Sequence, residues 1–192
     1  MQLTKQQLIA ALIGTSSAEA DKFLAPINET LSRYHIDTAL RIAHFLAQIG
    51  HESSGLDAVR EYASGAAYEG RKDLGNIVAG DGVRYRGRGL IQITGRVNYY
   101  ALSKAFGVDF VANPLLLESP RYAALSAGWY WASRNLNDLA DGNFFLTITK
   151  RINGGTNGLA DREQRFLIAA AALGIPGGVV PKPAATHVAL AA

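Results

Sequence analysis

Apolar residues recur at helical spacing along most of the chain, which predicts a mainly α-helical protein. The clearest pattern runs from Asp37 to about Ser54, where Asp37 or Thr38 can cap a helix and Gly55 ends it. The apolar stripe of this helix consists of Ala39, Ile42, Phe45, Leu46 and Ile49. Similar spacing predicts further helices over 4–12, 18–34, 97–106, 120–135, 144–152 and 161–173. Thr4 is a suitable cap for the first of these, and Pro26 is expected to limit the continuity of the second.

The segment from about 56 to 96 has a different character, because glycine recurs there among polar and aromatic residues. The glycines are Gly65, Gly70, Gly75, Gly80, Gly82, Gly87 and Gly89. This composition predicts a loop-rich lobe between helices, with at most a short hairpin and an extended run at 90–94. We expect one catalytic domain over 1–174 and a flexible C-terminal tail over 175–192, where three prolines stand among small residues.

Composition excludes several kinds of site. The 192 residues include no cysteine, which removes disulfides, thiol nucleophiles and thiolate metal ligands. His44 and His51 are seven residues apart, too far for a metal-binding pair one turn apart, so we expect no metal. Charged residues interrupt every apolar stretch before it reaches the ~18 residues of a membrane span, so no stable membrane insertion is expected. Residues 1–7 lack the basic-then-apolar pattern of a signal peptide, which predicts folding in the cytoplasm.

Two glutamates are candidates for acid and base catalysis. Glu52 lies three residues after Ile49, at the edge of the apolar stripe, where partial desolvation favours the protonated carboxyl that glycoside hydrolysis needs. An ordinary last-turn glutamate would fit the same spacing. Glu61 follows nine residues later and can fold across a cleft from the first. Spacing alone leaves four rival partners open, namely Asp57, Glu69, Asp73 and Asp81.

Arginines and tyrosines in the glycine-rich segment suggest ligand contacts. Arg84, Arg86 and Arg88 would share one face if this segment were extended, and could bind sugar, carboxylate or phosphate; the pattern also resembles an RNA-binding stretch. Alternatively, they tie loops down through carboxylates such as Asp73 or Asp81. The segment lacks the Gly-Lys-Ser/Thr of a phosphate-binding loop. Tyr62 beside Glu61, and Tyr99 beside Asn98, are candidates to stack on sugar rings.

Three ordered stretches together resemble glycoside hydrolase family 19, which contains chitinases and phage endolysins. The first is Phe-Leu-Ala-Gln-Ile-Gly-His-Glu-Ser at 45–53. The second comprises 70–76, 80–82 and 85–99, including Tyr-Arg-Gly-Arg-Gly-Leu-Ile-Gln-Ile-Thr-Gly at 85–95. The third is Arg-Ile-Asn-Gly-Gly at 151–155. The resemblance implies a lysozyme-like, mainly helical fold, in which two lobes flank the active-site cleft, and an inverting mechanism.

Roles for individual residues follow from this resemblance. It implies that Glu52 is the general acid, that Glu61 is the general base, and that Thr94 stands beside the attacking water. It also implies substrate-binding or network roles for Gln92, Asn98 and Asn153, and charged positions around the cleft for Arg71, Arg86 and Arg88. No cofactor is required.

The expected function is that of a peptidoglycan-degrading endolysin. The absence of cysteine and the compact length resemble the phage and bacterial branch of the family, and the net charge of +3 suits an anionic wall. We expect a monomeric muramidase that reaches the periplasmic wall from the host cytoplasm, with a holin for its release. A chitinase is the nearest alternative, followed by a non-catalytic wall-binding module. A nucleic-acid binder built on 84–88 is the most distant, and no nucleic-acid partner is expected.

Overall fold

The computed structural model describes residues 1–175 of the chain. The described residues form nine α-helices and three short 3₁₀ helices, with isolated β-bridges but no strand. The α-helices are α1 (Lys5–Ala11), α2 (Ser17–Arg33), α3 (Ala39–Glu52), α4 (Asp81–Arg84), α5 (Arg96–Phe106), α6 (Pro120–Ser133), α7 (Leu136–Asp141), α8 (Phe145–Asn153) and α9 (Leu159–Ala172). The 3₁₀ helices are Ala66–Tyr68, Lys72–Leu74 and Pro114–Glu118. The predicted mainly helical fold is therefore confirmed, while residues 176–192 of the predicted tail lie outside the described residues.

Helix α3 is the centre of the fold and is enclosed on all sides. Every residue from 42 to 50 is buried, although the sequence pattern predicted an apolar stripe on one side only. Helix α9 packs along α3, and Phe45 contacts Trp131 of α6 edge to face, with 5.4 Å between ring centroids. Buried polar side chains of α3 have partners, although His44 Nδ1 has none among the described residues. His44 Nε2 lies 2.9 Å from Asn143 Oδ1, and Gln48 Nε2 donates to Thr149 Oγ1 at 3.0 Å.

Local signals explain several helix boundaries. Thr4 caps α1, as the sequence predicted, and forms a reciprocal capping box with Gln7. Helix α2 is one continuous element, so the prediction that Pro26 limits its continuity is wrong. The apolar face of α2, which includes Phe23, Ile27 and Leu31, is fully buried, and this packing outweighs the backbone hydrogen bond that proline removes. Within residues 1–175, no helix combines the length and apolar character needed to cross a bilayer.

Residues 56–95, the loop lobe, contain only short helices. The hairpin considered from the sequence is reduced to single bridges of Arg88 with Arg60 and with Ile93. The 90–94 run is not extended, because Gln92 adopts a left-handed backbone conformation with φ of 55°. Arg84 and Arg88 do not share an extended face either, since Arg84 is the last residue of α4 and Arg88 is buried in the bridged loop.

Carboxylates hold the loops of this lobe in place. The Glu69 carboxylate accepts hydrogen bonds from the backbone N–H groups of Gly80 and Gly82, at 2.7 and 2.8 Å. Asp81 is almost fully buried and binds Arg96 through two hydrogen bonds of 2.8 and 2.5 Å. The hydrogen bonds from Arg96 hold the pKa of Asp81 below its usual value. An arginine thus anchors a loop through Asp81, as the alternative interpretation expected. This arginine is Arg96, however, and not one of the three arginines at 84–88.

Buried His44 predicts a pH-dependent stability. Burial lowers its pKa from 6.5 to about 4, so between these values the unfolded chain binds a proton that the folded chain does not. The free energy of unfolding should therefore decrease as the pH falls from 6.5 to 4, by up to about 3 kcal/mol. His44→Gln should flatten this part of the curve in urea unfolding at pH 4 to 7. Parallel curves for the variant and the wild type would contradict the prediction.

Candidate active site

Glu61 is fixed by hydrogen bonds on both oxygens. Its backbone N–H donates to Gly87 O at 2.9 Å, and its Oε2 accepts from Gly87 N at 3.1 Å. Its Oε1 accepts from the Tyr68 hydroxyl at 2.9 Å. Burial, followed by the hydrogen bond to Glu61, raises the pKa of Tyr68, which keeps this hydroxyl a donor at neutral pH. Both donors complement a negatively charged carboxylate, the form that a general base needs.

Gly87 brings three polar side chains around one point. A Cβ atom at this position would lie 2.8 Å from Gln92 Oε1 and 3.3 Å from both Glu61 Oε2 and Thr94 Oγ1. Gln92 Oε1 is buried and accepts no hydrogen bond from any described residue. The Thr94 hydroxyl donates to Gln92 O at 3.0 Å, and Asn98 Nδ2 donates to Thr94 O at 2.7 Å. The predicted site residues Glu61, Gln92, Thr94 and Asn98 therefore form one connected group.

Gly87→Ala should impair this group without unfolding the protein. The new methyl group would displace the ends of the Gln92, Glu61 and Thr94 side chains by a few tenths of an ångström or more. We expect kcat to fall about 10- to 100-fold, because small displacements of catalytic groups have large effects on rate. Hydrolysis kinetics should be measured together with the thermal midpoint. Wild-type kcat in the variant would contradict the role of this glycine.

Glu52, the other member of the predicted catalytic pair, is the last residue of α3. Its Oε1 accepts a hydrogen bond from Arg162 Nη2 at 2.5 Å, and the Arg162 guanidinium also donates to Gln48 Oε1 at 2.6 Å. Only 2% of the Arg162 side chain is exposed, compared with 18% for Glu52. Glu52 Oε2 accepts no hydrogen bond from the described residues, so one oxygen of the carboxyl group remains available to a ligand.

Neighbouring contacts fix the end of α3 against α9. His51 Nδ1 lies 2.6 Å from Asp161 Oδ2, and Arg162 forms an ion pair with Glu52. Two consecutive residues of α3 thus pair with two consecutive residues of α9. Tyr130 lies close to Glu52 as well: burial raises the pKa of Tyr130, and the charge of Glu52 adds to the increase. The Tyr130 hydroxyl lies within hydrogen-bond distance of the backbone oxygens of Arg151 and Ile152, at 3.1 and 3.2 Å, near the end of α8.

Sequence reasoning did not identify Arg162 and Tyr68. A signal for Arg162 was present, since it occurs in the apolar stripe of α9 with Leu159, Phe166 and Ala169. A lone cation in such a stripe indicates an acidic partner in the interior. Tyr68 gives no comparable signal, because its contact with Glu61 depends on the path of an irregular loop.

The remaining predicted residues differ in their positions. Tyr62 is 82% exposed and borders a cleft of about 360 Å³, which is lined by Asp57, Ala58, Val59, Arg60, Glu61, Tyr62, Arg86 and Glu118. Tyr99 is not a stacking platform, contrary to the sequence interpretation, because it is fully buried and its hydroxyl donates to Arg86 O at 2.7 Å. Burial raises the pKa of Tyr99 to about 12, so it remains a donor.

Arg71 and Asn153 are held by their own loops. Arg71 is exposed, pairs with Asp73 at 2.8 and 2.5 Å, and does not line the cleft beside Glu61. Asn153 Nδ2 donates to Asn157 O at 2.9 Å, and its Oδ1 accepts from Gly155 N at 2.8 Å. Substrate contacts by these two residues stay predictions. The described residues contain no group of three or more His, Asp or Glu side chains that could hold a metal ion.

Comparison with known proteins identifies the family. Residues 35–143 match the family model Glyco_hydro_19, described as chitinase class I. The chain belongs to glycoside hydrolase family 19. A family 19 domain-containing protein of Haemophilus influenzae is 36% identical over 159 residues, which cover 65% of this chain and 76% of that protein. An endochitinase of Arabidopsis thaliana is 35% identical over 129 residues, covering 66% of this chain but only 44% of the plant protein.

Solved family 19 structures share the fold. A bacterial family 19 chitinase superposes with a TM-score of 0.73 at 25% identity, covering 91% of this chain and 97% of that one. Chitinase C from Streptomyces griseus gives a TM-score of 0.70 at 23% identity, covering 89% and 76%. The expected lysozyme-like fold is therefore confirmed.

Proposed function

We propose that this family 19 hydrolase cuts the β-1,4 bond between N-acetylmuramic acid and N-acetylglucosamine in bacterial peptidoglycan. The observation that carries the proposal is the contrast between the two glutamates. Glu52 contacts a buried guanidinium and keeps one oxygen free, whereas Glu61 accepts hydrogen bonds from two neutral donors. The oxygen of Glu52 that accepts no hydrogen bond can present a proton to a leaving group, whereas the donors to Glu61 complement a carboxylate that receives one.

Glu52 is the proposed general acid. Its Oε2, which accepts no hydrogen bond from the described residues, would carry the proton. It would deliver the proton to the glycosidic oxygen as the bond from that oxygen to C1 breaks. Arg162, hydrogen-bonded to Oε1, then stabilises the carboxylate that remains. The guanidinium is already in place before the reaction, since Gln48 and the backbone oxygen of Asn157 hold it as well.

Glu61 is the proposed general base. It would take a proton from a water molecule as the water oxygen bonds to C1 from the face opposite the leaving group, which inverts the anomeric configuration. Tyr68 and the Gly87 N–H orient the carboxylate. Thr94 Oγ1 and Gln92 Oε1 converge on the same point as Glu61 Oε2 and are the proposed neighbours of that water.

Positive charge favours peptidoglycan over chitin. The chain has a net charge of +3, and the cleft beside Glu61 contains Arg60 and Arg86 together with Asp57 and Glu118. Chitin is a neutral polymer, whereas the peptides of peptidoglycan carry carboxylates. As part of the proposal, the enzyme acts as a monomer on the periplasmic wall during host lysis, after holin-dependent release from the cytoplasm.

Hydrolysis of chitin is the second candidate function, because the named relatives include endochitinases and a bacterial chitinase. The two candidates are separated by kcat/KM on solubilised peptidoglycan and on chitin oligomers. We expect a preference for peptidoglycan, and proton NMR of fresh product should show the α-anomer. A preference for chitin oligomers would favour the second function, and wall binding without any hydrolysis would indicate a binding module.

A further inference from the structure

Arg86 differs from the other arginines of the loop lobe in what its side chain contacts. Arg71 and Arg88 form ion pairs with carboxylates, and Arg84 donates to backbone oxygens of 111 and 112. The Arg86 side chain donates no hydrogen bond to any residue in 1–175, and its Nε is buried without an acceptor. A buried donor without an acceptor is unfavourable, and no described residue holds the rest of this half-buried guanidinium, which lines the cleft and is therefore open to a ligand.

The backbone of Arg86 is nevertheless firmly held. Its carbonyl oxygen accepts hydrogen bonds from the Tyr99 hydroxyl at 2.7 Å and from Arg88 Nη1 at 3.4 Å. The Cβ of Arg86 packs against Gly65, and a Cβ atom added to Gly65 would lie only 2.7 Å from it. The next residue, Gly87, binds Glu61 through both its N–H and its C=O. The Arg86 side chain therefore starts from a fixed point beside the proposed base.

The surroundings indicate the chemistry of the missing partner. Arg86 lines the cleft together with Arg60, whose Nη1 is 4.0 Å from Glu118 Oε2. Arg88 already binds the other oxygen of Glu118 at 2.8 Å. The cleft also contains the carboxyl groups of Asp57, Glu61 and Glu118, but none of them forms an ion pair with Arg86. An unpaired guanidinium favours an anionic ligand, and its planar fork is suited to a carboxylate.

We propose that Arg86 is a specificity-determining residue that binds a carboxylate of the peptide carried by muramic acid, next to the bond that is cut. Arg60 adds positive charge at the same edge. This inference rests on the proposed function, and it adds the chemical group by which the cleft distinguishes peptidoglycan from a neutral aminosugar polymer.

The test compares native solubilised peptidoglycan with the same material after its carboxylates have been converted to carboxamides with carbodiimide and ammonia. Arg86→Gln should lower kcat/KM on native peptidoglycan about 10- to 100-fold, mainly through KM. On the amidated material the variant should remain within about 2-fold of wild type. The matched control is Lys72→Gln, which removes one charge from an exposed site in the same lobe and should behave as wild type on both substrates.

Two results would overturn the inference while leaving the proposed function intact: an unchanged kcat/KM of Arg86→Gln on native peptidoglycan, or equal losses on both materials. The wild type gives an independent check that does not depend on folding of a variant. Amidation of the peptidoglycan should lower the kcat/KM of the wild type by about the same factor as Arg86→Gln does on the native material. An equal kcat/KM of the wild type on both materials would also overturn the inference. If the wild type cuts chitin oligomers but no form of peptidoglycan, the proposed function itself fails.

Discussion

Glu52→Gln should lower kcat about 10²- to 10⁴-fold on whichever polymer the wild type hydrolyses. Glutamine keeps the shape of the side chain and can still face Arg162, but it cannot donate a proton as an acid. KM should change little, because the loss concerns the transition state and not substrate binding. Steady-state kinetics of the variant beside the wild type give the measurement.

Glu163→Gln is the matched control for this substitution. It makes the same chemical change at a helical position one residue from Arg162. The control should keep wild-type kcat, and the thermal midpoints of both variants should confirm that they are folded. A Glu52→Gln enzyme that retained more than about a tenth of wild-type kcat would remove Glu52 from the role of general acid.

Arg162→Met should give the largest loss of stability among single substitutions near the site. The Arg162 side chain is only 2% exposed and binds both Glu52 and Gln48, so its removal leaves a partly buried carboxylate unpaired. Breaking one side of such a buried pair costs about 3–5 kcal/mol. For a chain of this length that corresponds to a fall in thermal midpoint of about 6–20 °C. Calorimetry of the variant and the wild type at neutral pH would measure it.

An exposed ion pair of similar geometry provides the comparison. Arg121 binds Glu29 at 2.6 Å, but the two side chains are 57% and 37% exposed. Surface pairs contribute about 0–1 kcal/mol, so Arg121→Met should lower the midpoint by only a few degrees at most. Equal shifts in thermal midpoint for Arg121→Met and Arg162→Met would show that burial of the ion pair between Arg162 and Glu52 does not determine its contribution to stability.

The helical part of the fold was predictable because its signals are local. Thr4 caps α1 as expected, Thr38 is the one of the two candidate caps that α3 uses, and the apolar spacing located α3 within two residues at each end. Short-range spacing does not reveal what surrounds a helix. The complete burial of His44 and Gln48 depends on Asn143 and Thr149, about a hundred residues further along the chain.

The connections among the candidate site residues were not predictable from the sequence. Ordered motifs pointed to Glu52, Glu61 and Thr94, whereas spacing alone left several acidic residues equal to Glu61. The contact between Glu61 and Gly87 arises from an irregular loop path with positive-φ residues, which no periodic pattern encodes. For the same reason the sequence interpretation placed Tyr99 in the cleft, although tertiary packing buries it.

The proposed bond and catalytic pair can be tested together in a digest of purified Gram-negative peptidoglycan by wild type, Glu52→Gln and Glu61→Gln, with mass analysis of the released muropeptides. The wild type should release disaccharide products with reducing muramic acid ends, and both variants should lose this activity. Reducing glucosamine ends would contradict the proposed bond, and anhydro ends would contradict hydrolysis. Unchanged release by either variant would contradict the assignment of that glutamate to the catalytic pair.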